Sequence, residues 1–63
     1  MNIKEIIKIT GLTNRDFART YGIPIRTVQN WVLYENGNKK EGRKIPSYVK
    51  ELLEFRVIKD LSM

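Results

Sequence analysis

The chain has 63 residues, no Cys, no His, and 12 basic against 7 acidic residues, for a net charge of +5. A domain this short buries only about 60% of the surface its unfolded form exposes, and such a core stabilises by roughly 3–5 kcal/mol unless a staple or a second copy adds to it. The composition excludes disulfides and a His/Cys zinc cluster and removes the usual general bases and nucleophiles, so neither a stapled scaffold nor an enzyme is expected.

The first expected helix runs from Asn2 to about Thr10. Asn2 and Glu5 have the spacing of a capping box, with an acceptor for free amides and a carboxylate at the positive helix end. Ile3, Ile6 and Ile7 fall on one helical face, and Gly11 ends the helix. The opening MNIKEIIKITG is interrupted by charges and has no small-residue cleavage site, so it does not read as a signal peptide. No apolar run approaches the ~20 residues of a bilayer span, and a cytoplasmic protein of one domain, residues 1–63, is expected.

Thr13 can cap a second helix, about Asn14 to Tyr21, with Asp16 in its first turn and Phe17, Ala18 and Tyr21 on its apolar face. Gly22 stops it. A third helix starts near Pro24, whose missing N–H suits a first turn, and reaches Tyr34 or Glu35. At about 100° per residue, Val28, Trp31 and Val32 point inward while Arg26, Asn30 and Leu33 point outward, flanked by Thr27, Gln29 and Tyr34. Residues 36–45, NGNKKEGRKI, are rich in Gly, Asn and basic side chains and read as a mobile loop. A fourth helix begins at Pro46 or Ser47 and continues to Lys59 or beyond. No segment alternates like a strand. The expected fold is all-α, a compact bundle of four short helices.

The excess positive charge lies before the last helix. From residue 48 onward Lys50, Arg56 and Lys59 balance Glu51, Glu54 and Asp60, whereas the loop carries Lys39, Lys40, Arg43 and Lys44 against Glu41. Such a distribution on a small domain suits a polyanion.

Residues 14–33, NRDFARTYGIPIRTVQNWVL, have the spacing of a helix-turn-helix unit. Ala18 is small where the second helix would cross, and Gly22 sits at the turn, where φ > 0 is easiest for glycine. Phe17, Tyr21, Ile23, Val28 and Trp31 fill the angle between the helices. With this pattern the chain resembles the lambda-repressor-like helix-turn-helix family of phage repressors, Cro proteins and small bacterial regulators. YGIPIRTVQNW is similar to a recognition helix of small bacterial members, in which a Pro-containing basic loop and a segment like PSYVKELLEF follow. The likeness covers nearly the whole chain, and its specific part is residues 13–31. Val32 stands where such relatives often have Glu, and the loop before Ile45-Pro46 is several residues longer than theirs.

The resemblance implies that the helix beginning near Pro24 enters the major groove of double-stranded DNA. Its outward side chains fit that role. Arg26 can pair with guanine O6 and N7, Gln29 or Asn30 with adenine N6 and N7, and Ile25 or Leu33 can touch a thymine methyl. Thr13, Asn14, Thr27 and Tyr34, with Lys39, Lys40, Arg43 and Lys44, are the expected phosphate contacts. The family also implies a homodimer. In the last helix Tyr48, Val49, Leu52, Leu53 and Val57 span one broad half of the wheel, which is expected to face the core. Phe55, Ile58 and Leu61 lie outside it and are the expected dimer interface. No metal, cofactor or small-molecule ligand is expected. Two other readings remain open at this stage. One is a protein-interaction module, such as an antitoxin or adaptor, that grips a protein through the last helix. The other is an excisionase-like architectural DNA-binding factor with residues 35–46 as a small winged hairpin.

Overall fold

The computed structural model describes residues 1–62. It is all-helical, with α1 at Ile3–Thr10, α2 at Asn14–Thr20, α3 at Ile25–Glu35 and α4 at Ser47–Leu61. No strand occurs among the described residues, so 35–46 forms no winged hairpin. No helix there is long and apolar enough to cross a membrane.

α1 is the hub and packs against each of the other three helices. Its isoleucines at i, i+3 and i+4, Ile3, Ile6 and Ile7, are all buried. The capping box forms in both directions. The Asn2 side chain accepts from the Glu5 amide at 2.9 Å, and Glu5 Oε1 accepts from the Asn2 amide at 3.0 Å. Two further amides of the first turn find a partner from far along the chain. The carboxylate of Glu35, at the end of α3, accepts from Ile3 N at 2.8 Å and from Lys4 N at 3.0 Å. The carbonyl of Asn2 accepts from Ile6 N at 3.1 Å, so every orphan donor of this helix start is paired.

α2 and α3 form the helix-turn-helix. The Thr13 hydroxyl oxygen caps α2 by accepting from Asp16 N at 3.1 Å. In the connection, Gly22 takes φ 68°, a left-handed conformation open to glycine at little cost, and Ile23 N donates back to the Ala18 carbonyl at 2.8 Å. Pro24 flanks α3 rather than lying inside it. Its carbonyl accepts from Thr27 N and Val28 N. Phe17, Ala18, Val28 and Trp31 are buried, with Tyr21, Ile23, Ile25, Val32 and Val49 packed partly against them.

α4 adds Leu53 and Val57 to the core, and Ile45 seals it from the preceding loop. α4 packs most closely on α1, and a side-chain bond from Tyr21 Oη to Asp60 Oδ2 at 3.0 Å ties its far end to the end of α2. The expected inward half of α4 is corrected here. Tyr48 and Leu52 do not face the core. They are 69% and 66% exposed and form one stripe with Phe55, 71% exposed, at i, i+4 and i+7 on the outer side of the helix. The inward line is narrower, carried by Val49, Leu53 and Val57, because α4 lies along the surface of the bundle with its closest packing on α1 and turns only that line toward the core.

Candidate nucleic-acid interface

α3 has two unlike sides. Val28 and Trp31 are inside the core, and Glu35, two turns beyond Val28 on the same side, reaches α1. On the other side Arg26 and Gln29 are exposed, one turn apart near the start of the helix. Leu33 continues that line and is half-buried. Ile25 is packed partly against the core, which leaves only part of its side chain open to a thymine methyl.

Asn30, Thr27 and Tyr34 are half-buried and share a flank of α3. The segment after α3 lies along that flank at the level of Asn30 and Tyr34. It is fastened to α3 by backbone hydrogen bonds. Asn38 N donates to the Leu33 carbonyl at 3.0 Å, Gly42 N to the Asn38 carbonyl at 2.8 Å, and Arg43 N to the Asn30 carbonyl at 2.9 Å. The Asn38 side chain accepts from Glu41 N at 3.1 Å, closing the turn from within. Gly42 is buried against α3 so tightly that a Cβ there would lie 2.4 Å from Tyr34 N and 2.6 Å from the Asn38 carbonyl oxygen. A Gly/Asn-rich stretch is also what a chain needs to run close to another backbone. The buried Ile45, a lone apolar residue in a polar run, was the readable sign of an anchor.

The fastening sets Lys39 and Arg43 beside α3. Lys39, Lys40, Arg43 and Lys44 are all exposed. Lys39 Nζ stands 5.6 Å from the centre of the Tyr34 ring, a cation–π distance, and Arg43 Nη1 donates to the Gly42 carbonyl at 3.2 Å. Thr13 and Asn14 are exposed at the start of α2. The Thr13 oxygen is engaged as a cap, which leaves its hydroxyl proton to donate. The expected dimer residues Phe55, Ile58 and Leu61 are exposed on α4. Phe55 belongs to the outer stripe, Ile58 borders it, and Leu61 lies past the end of the core.

Two structural residues had no signal in local sequence. Glu35 reads as the last polar residue of α3, and only the chain path shows it serving α1. Asn36 likewise accepts from the Lys4 ammonium. Comparison of the chain with protein-family models, curated proteins and solved structures finds no match.

Proposed function

We propose that this chain is a sequence-specific double-stranded-DNA-binding protein of the lambda-repressor-like helix-turn-helix type, a transcriptional regulator acting as a repressor. The observation that carries the reading is the make-up of α3 and its surroundings. One side is locked in the core by Val28 and Trp31, the opposite side offers Arg26 and Gln29 to solvent, and a basic loop is fastened alongside. A helix held this way can enter a major groove without unfolding anything. Arg26 donates both guanidinium arms to guanine, Gln29 pairs bidentately with adenine, and the loop cations neutralise phosphates.

The reading includes a second copy of the chain. Tyr48, Leu52 and Phe55 make an exposed apolar stripe on the outer side of α4, and a core this small gains from covering it. Two copies paired through α4 would carry two copies of α3, for half-sites about 34–36 Å apart. The same stripe supports a second reading, an adaptor or antitoxin that holds an unrelated protein. Selection of bound sequences from a random duplex pool separates them. A two-fold symmetric consensus is expected. Enrichment of no sequence refutes the DNA-binding reading.

A further inference from the structure

We propose that the loop 36–45 is a clamp that divides α3 between two tasks. It withdraws the Asn30 flank from the groove and restricts base readout to Arg26 and Gln29, the exposed polar pair of α3. The inference rests on the DNA-binding reading and sharpens which residues determine specificity. On a bare helix, Asn30 lies opposite Val28 and would face the bases as squarely as Arg26 does. In the folded chain it is half-buried, and its carbonyl holds the Arg43 amide at 2.9 Å. Tyr34, one turn on, has Gly42 against its backbone and Lys39 over its ring. The loop therefore runs against the backbone of α3 on the Asn30 side and narrows the room a base edge would have there. The backbone carbonyl of Asn30 anchors the loop at Arg43, and the proposal gives its side chain no part in base readout.

The test has a part without DNA and a part with it. In the free protein the Arg43 amide is expected to exchange slowly with solvent deuterium, and in Gly42→Ala, where the new methyl cannot share space with Tyr34, it is expected to exchange fast with helicity retained. Free exchange of this amide in the wild type overturns the clamp. In selections from a random duplex pool, Asn30→Ala should enrich the wild-type consensus with affinity within about twofold. Arg26→Ala and Gln29→Ala should each lose preference at one base pair and about 10- to 100-fold in affinity for the consensus. Loss of a base preference in Asn30→Ala overturns the division of α3 and leaves the DNA-binding reading standing. A wild type that enriches no sequence overturns that reading, and the readout role of Arg26 and Gln29 with it.

Discussion

α1 and α4 pack against each other, yet they are built to opposite rules. α1 is short, buries all three residues of its apolar face, and has its first-turn amides paired by Asn2 and by the distant Glu35. α4 is 15 residues long, has no side-chain cap at its start, buries only Leu53 and Val57, and turns its largest apolar side chains outward. One helix is complete within the chain. The other leaves an apolar face uncovered, the face on which the proposed second copy would sit.

The sharpest way to break the contrast is to truncate each helix once. Ile6→Ala removes a fully buried side chain from α1 and should cost about 2–5 kcal/mol, most of what a core of this size supplies. Leu52→Ala on the outer stripe of α4 should change the stability of the dilute monomer by less than about 0.5 kcal/mol. Denaturant unfolding at low protein concentration measures both. Equal costs would mean that the outer stripe is packed within a single chain. Next in size, Glu35→Ala leaves the Ile3 and Lys4 amides without their acceptor and should destabilise by about 1–3 kcal/mol. Thermal melts check this, and a loss no larger than that of Glu41→Ala would show that the link between α3 and α1 carries little.

The legibility of the fold follows the same division. Where a residue's role is local, the sequence declared it. The Asn2–Glu5 box, the Thr13 cap, Gly22 in the turn and the inward phase of Val28 and Trp31 all depend on neighbours within a turn or two. Roles that depend on the chain's return path were hidden. Glu35 serves a helix start more than thirty residues earlier, Gly42 is small because Tyr34's backbone passes it, and Tyr48 and Leu52 face out because α4 lies at the surface of the bundle with only its Val49, Leu53 and Val57 line turned inward. Helical phase shows which side chains share a side of a helix, and tertiary packing decides which of those sides is covered.

A smaller effect tests whether α4's outer stripe has the partner proposed. Phe55→Glu with Ile58→Glu should leave the monomer folded and abolish a dimer seen by sedimentation, since both side chains are exposed. A wild type that is monomeric at all concentrations, and binds a single half-site tightly, would contradict pairing through α4. The smallest effect concerns the bond that ties α4's far end to α2. Burial first, then the hydrogen bond to Asp60 and its charge, raise the Tyr21 pKa above its usual 10.0, with Arg56 opposing. A group whose pKa is raised by folding contributes stability that is complete below its unfolded value and is lost as pH rises through the folded one. Wild-type stability should therefore fall as pH climbs past about 10, and Tyr21→Phe should fall less. Parallel declines in the two proteins would show that this phenol does not respond to its partner.

The central claim is that α3 reads base pairs through its exposed polar stripe while the fastened loop holds the backbone. It is tested most directly by measuring the affinity of the wild type, Arg26→Ala and a variant with Lys39, Lys40, Arg43 and Lys44 changed to Gln, on the selected duplex and on a scrambled one, across a salt series. Arg26→Ala should lose about 1–3 kcal/mol on the selected duplex and little on the scrambled one. The loop variant should weaken on both, with the slope of log affinity against log salt flatter by up to about 0.9 for each phosphate contact removed. Equal affinities of wild type and Arg26→Ala for the selected duplex, or a salt slope untouched by removing the four cations, would contradict the account.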